Sequence, residues 1–194
     1  MKGKTIITLF AVMLLAGSLI AGGESNKKDG RENDPSCIQD LHHGRILNVA
    51  GTVTCDPMPV DPGLWIPLPS GDWKIRELTF DCTATFPKEP QFSHTSRVVT
   101  NCNMNEDWAG SCWGTVSARP GDTNPAFEGV FEAKLDYSQL ISTGGPAFGM
   151  VETTGWGSGG DLQDLKYEGV EIYPESGGPA TVHAKIFDPQ SWRN

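Results

Sequence analysis

Three glutamates in predicted strands are the residues whose type and spacing could support acid–base chemistry. In the register that the alternation suggests, they share a face with aromatic side chains: Glu77, Glu152 and Glu171, with Trp73 and Tyr167 or Tyr173. A carboxylate turned inward among apolar groups would have a raised pKa and could act as an acid or a base. We favour an outward, solvated face for these glutamates, because a slip of one residue would reverse the inward assignment.

Other catalytic and metal-binding patterns do not form a recognisable site. There is no G-x-S-x-G motif. His42 and His43 are adjacent, so in a strand they would point to opposite faces and could not bind one ion together. Residues 101–107 place side-chain oxygens at alternate positions, but Glu106 and Cys112 stand where a calcium loop needs glycine and glutamate. We predict a polar hairpin turn there, and neither a metal nor a cofactor.

The glycine-rich stretch after residue 154 matches the residue spacing of a dinucleotide-binding fingerprint but lacks the structural context of one. Gly155, Gly157 and Gly160 have the spacing, but Asp161 would stand where the pyrophosphate should lie, and no strand–helix–strand unit surrounds them. Glycines instead allow a strand to bend sharply. We predict a corner followed by a single helical turn that Asp161 caps.

The remaining elements are strands joined by short turns rich in glycine and proline. We predict strands at 45–55, 73–86, 97–102, 111–118 and 127–137, a strand from 148, and strands at 166–173 and 180–187. The pattern is typical of an all-β fold. We predict a closed antiparallel barrel of about eight strands with one short helical turn, and a β-sandwich is the alternative.

Residues 56–72 interrupt this rhythm with five prolines, which exclude a helix and a central strand. We predict a stiff loop. Its apolar residues, Leu64, Trp65, Ile66 and Leu68, either cover one end of the core or rim a binding mouth, and we favour the first interpretation.

The N-terminal residues indicate an exported protein. Lys2 and Lys4 precede an uncharged apolar run, and small residues follow, as in a signal peptide cut near Gly23. We predict a signal peptide at 1–23, a mobile polar arm at 24–40 and one β-barrel domain at 41–194. A retained anchor is disfavoured because the apolar run is short, so we expect a secreted or periplasmic protein with no membrane span after cleavage.

The net charge and the cysteine content indicate which binding partners and which cellular compartment suit this chain. A formal net charge of −9 disfavours nucleic acid, because binding to phosphate rests on basic contacts. Five cysteines outside the cytoplasm should be largely paired. Among the possible pairings we prefer Cys102 with Cys112 and Cys55 with Cys82, which leaves Cys37 over.

Two motifs together resemble a known superfamily. They are Trp113-Gly114 with Phe127-x-Gly129, and Gly155-x-Gly157-x-Gly159 followed by Asp161-Leu162-x-x-Leu165 with Glu168-Gly169. These resemble secreted bacterial proteins of the allene oxide cyclase and dirigent-like (calycin-like) β-barrel superfamily. The resemblance implies eight antiparallel strands around an apolar cavity. Some members steer cyclisations of small hydrophobic molecules, but no catalytic residue of theirs matches a position here.

Three functional hypotheses follow from this fold. The first is a secreted, non-enzymatic barrel that binds a small apolar or amphipathic molecule or a surface partner. Its cavity candidates are aromatic: Trp73, Phe127, Phe131 and Tyr167. The second is a cyclase or isomerase acting on a hydrophobic molecule in the cavity, with an inward Glu or Tyr as proton donor. The third is a structural envelope protein with a filled barrel. The sequence predicts no oligomeric state for any of the three.

Overall fold

The computed structural model describes Leu41 and residues 45–122, 127–143 and 147–189. The predicted signal peptide at 1–23, the arm at 24–40, Cys37, His42 and His43 lie outside the described residues. Within the described part of the chain there are nine strands: β1 Ile46–Cys55, β2 Leu64–Pro67, β3 Trp73–Thr85, β4 His94–Met104, β5 Ala109–Ala118, β6 Phe127–Asp136, β7 Phe148–Gly157, β8 Lys166–Tyr173 and β9 Ala180–Phe187.

Eight of these strands form a closed antiparallel ring. Strands β3 to β9 pair in chain order, β9 pairs with β1, and β1 closes the ring against β3. The closing seam holds only four residue pairs, from Thr52 opposite Thr85 to Cys55 opposite Cys82. The predicted all-β, closed antiparallel arrangement of about eight strands is therefore confirmed. We call this assembly the strand ring.

Strict alternation of side chains explains why these segments form the ring. In β9, Ala180, Val182, Ala184 and Ile186 are buried while the residues between them are exposed. In β6 the same period buries the phenylalanines and exposes the glutamates. Because successive side chains of a strand point to opposite faces, each strand supplies one apolar face to the interior.

The interior of the ring is filled by side chains. One apolar cluster includes Phe86, Phe127 and Tyr167, and the other includes Phe131 and Met104. Phe80, Val98 and Tyr173 pack against both clusters and join them into one core. This packing supplies the main apolar burial that stabilises the fold.

One end of the ring is closed by a plug. A 3-10 turn at Gly160–Leu162 follows β7, and it places Leu162 and Leu165 against Leu41 and Phe92, all of them 3% exposed or less. Gly157 permits the close approach, because a Cβ there would lie 1.8 Å from the carbonyl oxygen of Leu162. The prediction that Asp161 caps this turn is wrong, because the turn begins one residue earlier and Gly159 precedes it.

The opposite end is built from β2 and three hairpin turns. The predicted loop at 56–72 contains a strand after all, because β2 pairs with the first residues of β3. Prolines do not prevent this pairing, since β2 stands last in the strand order and has a single neighbour in the described sheet. A six-residue helix, Ser138–Thr143, links β6 to β7 on the same side. None of the described helices is long and apolar enough to cross a membrane.

Candidate functional site

Glu171 is a carboxylate inside the strand ring. It lies on the inward face of β8 together with Tyr167, Gly169 and Tyr173, because these residues alternate along the strand. Tyr173 donates a hydrogen bond to Glu171 Oε2 at 3.3 Å, and Thr153 on β7 donates to Oε1 at 3.4 Å. The favoured outward face for Glu171 is therefore wrong, since the register turns Lys166 and Ile172 outward instead.

The three tyrosines of the sequence belong to this group, because Tyr167 and Tyr173 lie near Glu171 and Tyr137 lies near Tyr173. Tyr167 lies along its own strand, where a Cβ on Gly169 would come within 2.5 Å of the tyrosine hydroxyl. Glycine at this position thus leaves room for the ring and lets it extend towards Glu171. Tyr137 follows β6, and its backbone N–H donates to the carbonyl of Trp108 at 2.9 Å.

Burial shifts the pKa values of this group. Removal from water raises the pKa of Glu171, and the hydrogen bonds from Tyr173 and Thr153 offset part of that rise. Burial also raises the pKa of Tyr137 to about 12. For Tyr173, burial comes first and the neighbouring Glu171 charge adds to the rise of its pKa. The tyrosines consequently remain protonated donors at neutral pH.

Replacing Glu171 with glutamine is expected to make stability less dependent on pH. A carboxyl group whose pKa is raised by folding contributes stability that is full below its unfolded pKa, near 4.3, and is lost as pH rises through the folded pKa. The glutamine variant cannot lose this contribution, so its free energy of unfolding should rise relative to the native chain between acidic and neutral pH. Urea unfolding at pH 4 and pH 8 measures the change.

Glu152→Gln is the matched control, because Glu152 is exposed on the neighbouring strand. Its pH dependence should follow that of the native chain. A Glu171→Gln variant that also does so would show that Glu171 is solvated in the native protein.

The other predicted site residues are distributed over both faces of the ring. Glu77 is exposed at an irregularity of β3, where its φ is 59°, and Glu152 is exposed on β7. The structure therefore does not bring either glutamate to Glu171. Among the cavity candidates, Phe127 and Tyr167 contact each other inside the ring with centroids 5.1 Å apart, and Phe131 is buried in the other apolar cluster. These aromatic rings pack among the buried side chains of the two apolar clusters inside the ring.

Trp73, the fourth cavity candidate, belongs to a different feature at the end opposite the plug. Its indole stacks on Trp108 with centroids 5.0 Å apart, and Trp65 lies 6.0 Å from Trp108. All three indoles are half-buried, and Trp65 and Trp73 also pack on the core. We call this group, with β2 and its adjoining turns, the tryptophan end.

Local hydrogen bonds position two indoles of the tryptophan end, those of Trp65 and Trp108. Trp65 Nε1 donates to the carbonyl of Pro62 at 2.8 Å. Trp108 occupies the β4–β5 turn with a φ of 66°, and Asn105 Oδ1 accepts the N–H groups of Asp107 and Ala109 in that turn. The structure thus has a hairpin turn where the sequence predicts one, with Trp108 as its last residue.

Exposed apolar side chains extend this end along β2. Leu64 is 63% exposed and Ile66 is 42% exposed, on the face of β2 opposite Trp65. Met58 and Val60 in the preceding segment are exposed as well. Trp65 therefore covers the core, as the favoured interpretation of the proline-rich segment predicts, while Leu64 and Ile66 face solvent.

Two open depressions lie on the described surface. One, of about 530 Å³, crosses the outer wall of β7, β8, β9 and β1, and polar side chains face it: Asn48, Glu152, Thr154, Glu168, His183 and Lys185. The other, of about 420 Å³, lies beside the tryptophan end between β5, β6 and β7, where Ala109, Gly110 and Gly149 leave the surface low. The described residues contain no group of three or more side chains that could hold a metal ion.

Two disulfides join neighbouring strands. Cys55 is bonded to Cys82 across the closing seam, and Cys102 is bonded to Cys112 between β4 and β5. These are the pairs that we prefer from the sequence. Tyr173 Oη lies 3.9 Å from Cys55 Sγ, so the seam disulfide adjoins the Glu171 group.

Comparison of the chain with protein-family models, with curated proteins and with solved structures finds no match in any of the three. The functional argument therefore rests on the geometry of this chain alone. Trp108, Tyr137 and Thr153 belong to the groups described above but are not among the sequence-derived candidates. A signal for Trp108 exists in the sequence, where the polar turn at 105–107 leads directly into a tryptophan.

Proposed function

We propose that this chain is a secreted, non-enzymatic binding protein that recognises a surface partner through the tryptophan end. The observation that carries the proposal is the difference between the two ends of the ring. Leu162, Leu165 and Phe92 are buried at the plug, whereas Trp65, Trp73 and Trp108 remain half-exposed at the other end. Large apolar side chains left in water cost free energy unless another surface covers them.

The composition of the tryptophan end suits protein recognition. Tryptophan is enriched among the few interface residues that carry most of the binding energy. Leu64 and Ile66 add exposed aliphatic surface on the other face of β2. Strand β2 is also short and has one neighbour, so a partner segment can lie against it without displacing another described strand.

The filled interior favours this surface role over chemistry inside the ring. A cyclase or isomerase would need space for a substrate beside Glu171, and Phe127, Phe131 and Tyr167 occupy the interior. A purely structural envelope protein would share the filled interior, but it would not explain why only one end is plugged. The disulfides are compatible with an oxidising compartment, which supports export.

Substitution of Trp65 should weaken binding at this end. The probe is a fluorescein-labelled hexapeptide with phenylalanine at alternate positions and serine between them. Trp65→Ala is expected to raise its dissociation constant about tenfold, as loss of a central aromatic anchor does. Fluorescence anisotropy measures the constant, and circular dichroism checks that the variant is folded.

Trp156→Ala is the matched control, because Trp156 is 48% exposed on the outer wall. It should change the dissociation constant less than about twofold. Equal weakening by both substitutions would contradict binding at the tryptophan end, and so would an unchanged constant in Trp65→Ala.

A further inference from the structure

We propose that the partner of the tryptophan end is an extended, amphipathic segment that adds to β2 as an antiparallel strand, with an apolar side chain directly opposite Trp65. This inference rests on the proposed function and adds the form and the register of the partner. It comes from the backbone groups of β2. In the described sheet β2 pairs only with β3, so its other edge, which we call the free edge, has no described strand beside it.

The hairpin that joins β2 to β3 shows which residues turn their backbone groups to the free edge. The N–H of Leu68 donates to the carbonyl of Asp72 at 2.8 Å, so the backbone groups of Leu68 face β3. Hydrogen-bonded and non-hydrogen-bonded pairs alternate along an antiparallel ladder. Two residues before Leu68, Ile66 therefore also faces β3, whereas the backbone groups of Trp65 and Pro67 turn to the free edge.

Strand β3 agrees with this alternation. Ile75 is the cross-strand partner of Trp65, and its carbonyl accepts a hydrogen bond from the side chain of Arg76 at 2.7 Å. The same Arg76 nitrogen donates to the carbonyl of Cys102 on β4, also at 2.7 Å. The Ile75 carbonyl is therefore directed towards β4, as expected of a residue that forms a non-hydrogen-bonded pair with Trp65.

The free edge is short, and this limits where a partner strand can bond. Pro67 has no N–H, and the N–H of Gly63 already donates to Asp61 Oδ1 at 2.9 Å. Among the described residues of this edge, Trp65 thus supplies the donor, and the carbonyls of Trp65 and Pro67 are the acceptors. A partner residue directly opposite Trp65 exchanges two backbone hydrogen bonds with it, as in other cases of strand addition.

The two faces of β2 decide the side-chain pattern of the partner. A residue directly opposite Trp65 has its Cβ on the same face, about 5 Å from that of Trp65, and so lies beside the indoles. On the other face, the pairing with β3 sets cations next to the exposed aliphatic side chains: Arg76 opposite Leu64 and Lys74 opposite Ile66. An apolar residue opposite Trp65, with polar neighbours on both sides, therefore fits both faces.

Backbone methylation of a peptide tests this register. The hexapeptide of alternating phenylalanine and serine is compared with two forms, one methylated on its three phenylalanine nitrogens and the other on its three serine nitrogens. With phenylalanine opposite Trp65, the phenylalanine N–H groups face β2 and the serine N–H groups face away. Methylation of phenylalanine should raise the dissociation constant at least about tenfold, and methylation of serine less than about threefold.

Amide hydrogen exchange, observed by NMR, tests the same contact from the side of the protein. The N–H of Trp65 should exchange readily in the free chain and at least about tenfold more slowly when the unmodified peptide is saturating. The N–H of Ile66 is the control, because its backbone groups face β3 and it should be protected in both states.

The outcomes separate this inference from the proposed function. Equal affinity for the two methylated forms, with binding of the unmodified peptide still weakened in Trp65→Ala, would overturn strand addition and leave the binding surface standing. Weakening by serine methylation alone would overturn the register. Protection of the Trp65 N–H in the free chain would also overturn the inference, since another segment or a second copy would already occupy the free edge. Failure of the unmodified peptide to bind would overturn the binding surface itself.

Discussion

Replacing Cys55 and Cys82 together with alanine is expected to lower the free energy of unfolding by about 3.5 kcal/mol, the chain-entropy value for a sequence separation of 27. The loss should be large because this disulfide clamps the seam of the ring. Only four residue pairs join β1 to β3, and Cys55 opposite Cys82 is the last of them. Without the bond, the short seam is the weakest pairing in the ring.

The second disulfide supplies the comparison. Cys102 and Cys112 are separated by 10 residues and join strands that are already held by a hairpin turn and nine residue pairs. Their replacement by alanine should cost about 2.7 kcal/mol on the same entropic scale. Urea unfolding of the two double variants measures both losses, and a smaller loss for the seam pair than for the hairpin pair would contradict the closure described above.

Leu165→Ala is expected to lower the free energy of unfolding by about 2–4 kcal/mol, because it leaves a cavity in a fully buried site. Leu165 ends the plug, and its carbonyl accepts the N–H of Gly157 at 2.9 Å, so its side chain packs where the β7–β8 connection meets the core. The loss should appear as a lower urea midpoint with an unchanged slope.

Leu64→Ala makes the same chemical change at the opposite end. Leu64 is 63% exposed, and the substitution should cost less than about 0.5 kcal/mol. A comparable loss at both positions would show that the two ends are equally well packed. The asymmetry from which we infer the binding surface would then be absent.

The sequence predicts the strands well where one face is apolar. The alternation in β6, and the bounds of β8 and β9, follow from the period of two and from the glycine and proline turns that limit it. Strand β2 is missed because its prolines exclude a central strand but not an edge strand. The number of strands and the resemblance to a β-barrel superfamily suggest a closed ring. The pairing of β1 with β3 that closes it cannot be predicted, because it depends on contacts between segments that are distant in sequence.

The candidate site is only partly predictable, because the direction of a strand side chain reverses with each residue. The aromatic neighbours of Glu171 are named from the sequence, but its inward direction depends on the register of β8 against β7. Thr153 approaches Glu171 from β7, Tyr137 lies near Tyr173 after the end of β6, and neither carries a local signal. Similarly, Trp108 is distant in sequence from Trp65 and Trp73, and only the pairing of β2, β3 and β4 brings the three together.

Fluorine NMR of the chain labelled with 5-fluorotryptophan tests binding at the tryptophan end most directly. Six tryptophans give separate signals that single substitutions can assign. On addition of the hexapeptide in which phenylalanine alternates with serine, we predict shifts for Trp65, Trp73 and Trp108 and unchanged signals for Trp113 and Trp156 on the outer wall. Shifts confined to the outer-wall tryptophans, or no shift at any of the five at millimolar peptide, would contradict it.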